Sequence, residues 1–144
     1  MYITNMEFGE LLNQLLIDLQ SLFRKSFKKS KITLSQITLI TSIPLRGLDM
    51  TSLSKKIGVD NSTLTRLIDL LVKKELLVRI NNPKDGRSKL ILLTTKGVSF
   101  KREVESKIDK IGKEIHTNNN LDKYDQSKDF LNALHWEINK AKLK

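Results

Sequence analysis

The stretch Leu53-Ser54-Lys55-Lys56-Ile57-Gly58-Val59-Asp60-Asn61-Ser62-Thr63-Leu64-Thr65-Arg66-Leu67-Ile68-Asp69-Leu70-Leu71 reads as two helices separated by a tight turn. Leu53 and Ile57 give the first helix an apolar side, and Gly58 supplies the left-handed residue that ends it. Thr51 is its expected N-cap. After Gly58-Val59-Asp60, with Asp60 as cap, the second helix runs to about Lys74. Leu64, Leu67, Ile68 and Leu71 fall at i, i+3, i+4 and i+7 and form its inner face. The opposite face carries Asn61, Ser62, Thr63, Thr65, Arg66 and Asp69. Short helix, turn and longer helix make a helix-turn-helix, an arrangement that other two-helix hairpins share.

The residues downstream narrow the choice. Leu76 to Ile80 and Leu90 to Leu93 favour strands. The segment between them, Asn81-Asn82-Pro83-Lys84-Asp85-Gly86-Arg87-Ser88, contains the Asp-Gly signal of a hairpin turn. A hairpin directly after the second helix makes a winged helix-turn-helix. Upstream, residues 6–29 predict a long amphipathic helix with a wide apolar stripe. A second helix starts at Thr33 with a Thr33/Gln36 capping box and stops before Pro44, and a connector with Gly47 follows. Downstream, Thr94 caps a long helix in which Phe100, Val104, Ile108, Ile111 and Ile115 approach a heptad seam. Asn118-Asn119-Asn120 breaks it, and a last helix covers about 122–140.

Charge placement says which partner to expect. Lys and Arg total 26 against 16 Asp and Glu in 144 residues, a formal +10. Only six of the bases are Arg, and the chain is rich in Ile and Asn, so part of the excess is compositional. Yet residues 51–97 hold ten bases against four acids, +6, where an even spread would give about +3. The surplus sits on the helix-turn-helix and wing, which points to double-stranded DNA. The basic end of the first helix (Arg24, Lys25, Lys28, Lys29) fits either the negative pole of the helix dipole or a phosphate contact.

Other classes recede. The absence of Cys excludes disulfides, thiol catalysis, cysteine metal sites and thiol sensing. His116 and His135 are the only histidines, so neither a zinc site nor acid–base chemistry is expected: no metal, no cofactor, no catalytic residue, not an enzyme. No apolar run is long enough for a membrane span and no signal peptide is evident, so the expected setting is cytoplasmic with no membrane partner. Few aromatics are free to stack on RNA bases. A winged-helix protein–protein interaction module without DNA binding is the alternative, and it would call for a neutral or acidic face where Arg66, Arg87 and the lysines stand.

From Leu53 to Gly97 the chain resembles the MarR family of bacterial and archaeal transcription regulators. The resemblance rests on Leu53 to Val59, Ser62 to Leu67, Leu76-Leu77-Val78-Arg79, the wing element Asp85-Gly86-Arg87 and Leu93-Thr94-Thr95-Lys96-Gly97. It implies a mainly α (α+β) fold, a winged helix-turn-helix with N- and C-terminal dimerisation helices. The implied segments are 1–32 for the first dimerisation helix, 33–97 for the DNA-binding domain and 98–144 for the C-terminal dimerisation helices. It also implies a homodimer that regulates transcription, as a repressor, by binding a pseudo-palindromic operator, and release by a small aromatic or anionic effector. Two positions depart from the family pattern: Glu75 stands where the recognition helix usually ends in Gly, and Leu70 where a polar or basic residue is common.

On this reading the site residues are Asn61, Ser62, Thr63, Thr65 and Arg66 on the recognition helix, with Lys84, Arg87 and Lys89 on the wing. Ser62 and Thr63 either donate to phosphates or cap their own helix. Arg66 either grips guanine or pairs with Asp69 or Asp60. Arg87 suits a narrow minor groove, Lys84 and Lys89 suit phosphates, and anionic Asp85 stabilises the wing. Phe8, Leu12, Leu16, Ile37 and Ile40 are candidates for an effector cleft, or simply core.

Overall fold

The computed structural model describes residues 5–118 and 124–144. Its elements run α1 (Phe8–Phe27), α2 (Leu34–Ser42), β1 (Leu48–Asp49), α3 (Met50–Ile57), α4 (Asn61–Lys73), β2 (Leu77–Asn81), β3 (Lys89–Leu93), α5 (Thr95–Asn118) and α6 (Tyr124–Lys142). By its internal contacts the chain divides into two units, 1–105 and 106–144.

The first unit holds the winged helix. Helices α2, α3 and α4 pack around Ile37, Ile40, Leu53, Leu64, Ile68 and Leu71, all buried. Each such side chain contributes roughly 1.5–3 kcal/mol of apolar transfer. The antiparallel sheet has strand order β1-β3-β2, with Leu77 opposite Leu93 and Arg79 opposite Ile91. Leu77 and Ile91 close the core from the sheet side. Strand β1 escapes a pattern-based reading because two residues are too few to show alternation. Gly47 turns the chain into it with φ +82°, and a Cβ there would strike the Leu92 side chain.

Local signals hold at most helix ends. Thr33 and Gln36 exchange the two hydrogen bonds of a capping box. Gly58 is left-handed (φ +81°), and Asp60 caps α4. The expected Thr51 cap is wrong: Asp49 caps α3, its carboxylate accepting the Ser52 amide at 2.8 Å and the Ser52 hydroxyl at 2.7 Å. Those two bonds lower the Asp49 pKa. The start of α3 therefore moves to Met50, because the carboxylate at the end of β1 outcompetes a hydroxyl two residues later.

Helix α4 ends in a Schellman motif, with the Glu75 amide on the Val72 carbonyl and the Leu76 amide on that of Leu71. Glu75 takes the left-handed position (φ +62°), at about 1 kcal/mol relative to glycine. The segment 93–97 then grips this corner. The Thr94 hydroxyl donates to Glu75 O (2.7 Å), the Thr94 amide to Leu76 O (3.1 Å) and Lys96 Nζ to Lys74 O (3.1 Å). The Gly97 amide in turn donates to Thr94 Oγ1 (2.9 Å).

In the second unit the end of α5 and helix α6 leave large apolar side chains exposed, including Phe130, Leu131, Trp136 and Ile138. Helix α1, in the first unit, likewise exposes Phe8, Leu15, Leu16, Ile17 and Leu19, and only Phe27 at its end is fully buried.

Candidate nucleic-acid interface

Helix α4 has two distinct flanks. On one, Asp69 meets Arg79 of β2 in a 2.6 Å ion pair that ties the helix to the wing strand. On the other, Leu67 and Leu70 face Thr33, Ser35, Gln36 and Leu39 of the α2 start across a small recess. Between the flanks lies the outward ridge of Ser62, Arg66 and Lys73, set by their spacing. Leu70, half exposed at 52%, belongs to the recess and not to the wing.

The first turn of α4 is organised by Asp60. Its Oδ1 accepts the Thr63 amide at 2.7 Å and the Ser62 hydroxyl at 2.8 Å. The Thr63 amide is the main cause that holds the Asp60 pKa down to about 2, followed by the Ser62 and Thr63 hydroxyls, with Arg66 adding a favourable charge. The Thr65 hydroxyl donates to the Asn61 carbonyl (2.8 Å). The hydroxyls of this turn thus serve the helix in the free chain. Arg66 is exposed and pairs with no acid among the described residues, since Asp69 belongs to Arg79.

Asp60→Ala should lower the melting temperature at neutral pH. Because the folded pKa lies below the ordinary 3.8, the stabilisation is complete above that value and disappears as pH falls toward 2. Melting curves of wild type and variant should converge over that window, and a constant gap down to pH 2 would contradict the assignment.

The wing tip is ordered by short polar side chains. Asp85 Oδ1 accepts the Arg87 amide (3.0 Å) and Asn82 Oδ1 the Lys84 amide (3.0 Å), while Asn82 Nδ2 donates to Ser88 Oγ (3.2 Å). The Lys89 ammonium donates to Asn81 across the strand pair. Lys84 and Arg87 are exposed and carry no ion pair among the described residues. Asn82 and the Asp69–Arg79 pair were missed from sequence; the Asx signal was visible at Asn82, whereas a pair ten residues apart across two elements leaves no local trace.

Some of the positive charge has structural work. Lys56 Nζ donates to Ser42 O (2.7 Å) and Lys101 Nζ to Ile43 O (2.6 Å), so both close the carbonyl end of α2. The cleft candidates do not assemble. Ile37 and Ile40 are sealed in the core and line no open cleft within one chain, whereas Phe8 and Leu16 are exposed and Leu12 is half-buried. A recess of about 320 Å³ lies elsewhere, within the 106–144 unit, lined by Gly112, Ile115, His116 and Leu131 among others. Among the described residues no cluster of three metal-ligating side chains occurs, and no helix is long and apolar enough to cross a membrane.

The arrangement defines a winged helix-turn-helix protein with an exposed arginine on its second helix and another on its wing. Residues 32–89 match the model of the MarR family. The multiple antibiotic resistance protein MarR of Salmonella typhimurium is 32% identical over 100 residues, 69% of this chain and 62% of the relative. The transcriptional repressor MdtR of Bacillus subtilis is 29% identical over 96 residues, 61% and 62% of the two chains. The chain belongs to the MarR family. It spans under two thirds of the length of these curated relatives. Solved structures agree in fold: the multiple antibiotic resistance repressor MarR superposes with a TM-score of 0.79 at 24% identity, over 93% of this chain and 99% of that one. The repressor CouR bound to a 23-mer DNA duplex superposes at 0.74 and 19% identity, over 90% and 92%. CouR of Rhodococcus jostii bound to p-coumaroyl-CoA gives 0.72 at 20%, over 89% and 91%.

Proposed function

We propose that this protein is a DNA-binding transcription regulator, a repressor acting as a homodimer on a pseudo-palindromic operator. Helix α4 enters the major groove of each half-site, with half-sites about one turn, 10–10.5 bp, apart. Arg66 reads a guanine edge from the outward ridge, and Asn61 and Thr65 flank it. Ser62 and Thr63 exchange their bonds to Asp60 for phosphate contacts. Arg87, presented by the Asp85-ordered tip, enters the minor groove, with Lys84 and Lys89 on the adjoining phosphates. Segments 1–32 and 98–144 supply the dimer seam around the 33–97 domain. The observation that carries the reading is that Arg66 and Arg87 stay exposed, without ion pairs among the described residues, while the neighbouring acids Asp69, Asp60 and Asp85 are committed to Arg79, Thr63 and the Arg87 amide. Release by a small aromatic or anionic effector is part of the proposal, supported by the p-coumaroyl-CoA complex of a fold relative. Such a ligand acts by binding two conformations unequally.

The test is a salt-controlled titration of the chain's own promoter region against a scrambled competitor. Arg66→Ala and Arg87→Ala should each weaken specific binding by about 1–3 kcal/mol while the oligomer and its melting stay intact. Wild-type affinity in both variants would overturn the contact map.

A further inference from the structure

From Leu19 to Leu48 the chain contains no acid, yet it carries Arg24, Lys25, Lys28, Lys29, Lys31 and Arg46. Arg24 and Lys25 lie in the last turn of α1, where the helix dipole accounts for them. Lys28, Lys29 and Lys31 lie beyond that turn, are all exposed, and have no acid partner among the described residues. Nor do they cap a neighbouring helix as Lys56, Lys96 and Lys101 do. The corner is held in one shape: the Ile32 amide bonds Phe27 O (3.4 Å), the Lys31 amide bonds Lys28 O (3.1 Å), and Lys31 is left-handed at φ +57°. A lysine in that conformation is strained relative to glycine.

The position of this corner gives it a target. It leads straight into Thr33, Ser35 and Gln36, which border the recess against Leu67 and Leu70 of α4. Ion pairing of Asp69 with Arg79 puts the wing on the other flank of the same helix. A helix about 10–12 Å across fills a major groove about 12 Å wide, so a sugar–phosphate strand runs along each flank.

We propose that Lys28, Lys29 and Lys31 form a second phosphate clamp, gripping the strand on the side of α4 away from the wing. The inference rests on the DNA-binding reading and adds to it a sequence-independent contact that no recognition-helix or wing residue supplies. Neutralised phosphates appear as salt dependence, about −0.9 in log–log slope for each contact.

The experiment titrates a mixed-sequence duplex with the full chain from about 50 to about 200 mM salt. Lys28, Lys29 and Lys31→Gln together should make the slope shallower by about 2.7 per protomer engaged, and Lys28 and Lys29→Gln alone by about 1.8. An equal neutralisation of the exposed Lys110, Lys128 and Lys144 should leave the slope as in wild type. If wild type binds with a steep slope and the corner variants keep it, the clamp is refuted and the DNA-binding reading stands. If the control variant loses as much slope as the corner variant, bulk charge is responsible and the clamp is again refuted. A wild-type chain that binds no duplex overturns both.

Discussion

Gly97→Ala is expected to destabilise the winged unit by about 3 kcal/mol, the upper range for overpacking at a site that cannot relax. A Cβ on Gly97 would fall inside the Leu76 carbonyl oxygen and within 3.0 Å of its carbon. The obstacle is backbone, and it is held on both sides. Leu76 donates to Leu71 to complete the end of α4, while its carbonyl accepts the Thr94 amide. Relief requires α5 to move away from the α4 corner, which breaks the Thr94 and Lys96 bonds to Glu75 and Lys74. In a chain of this size the loss should appear as a fall of about 10 °C in melting temperature. A fall of only a degree or two would show that the corner opens freely. Since the same corner sets how the wing leaves the recognition helix, DNA affinity should fall in the folded fraction as well.

That corner also explains which features are legible in the sequence. Asp60, Gly58, Thr33 and the hairpin turn act within four residues, so they announce themselves locally. In Leu93-Thr94-Thr95-Lys96-Gly97 the local pattern gives the end of a strand and the Thr94 cap, and the rest carries only a family resemblance. Its physical reason is a set of bonds spanning about twenty positions to Lys74, Glu75 and Leu76. Thr51 was misjudged because Asp49 is placed by a two-residue strand whose partner, β3, lies some forty positions later. The outward ridge of α4 was legible as residue types. Its two flanks were not, because Asp69–Arg79 and the recess beside Leu70 are tertiary facts. Ile37 and Ile40 were open to either reading, because apolar residues at helical spacing look alike whether they line a cleft or fill a core; within one chain they are buried in the core.

Leu131→Glu combined with Ile138→Glu should convert the proposed homodimer into monomers. Both side chains lie on α6, seven residues apart and on one face, and both are substantially exposed in the single chain. Their replacement therefore removes little packing within a protomer, and helix content should persist. In a twofold seam each substitution occurs twice. Each lost leucine or isoleucine forfeits about 1.5–3 kcal/mol of burial, and each carboxylate drawn into the seam adds a desolvation cost. With about half of each side chain already covered in the protomer, four such sites amount to at least about 3 kcal/mol before the carboxylate cost, more than 10²-fold in dissociation constant at about 1.4 kcal/mol per decade. Sedimentation at a concentration where wild type is dimeric should show the variant at half the mass. Leu15→Glu with Leu19→Glu on α1 should act the same way, because that helix also leaves its apolar side uncovered. The monomers should keep the salt-dependent grip of one winged unit on DNA and lose the added affinity of paired half-sites. If both pairs of variants sediment with wild type, the apolar faces of α1 and α6 are not the seam. If wild type itself is monomeric, the twofold operator falls with the dimer.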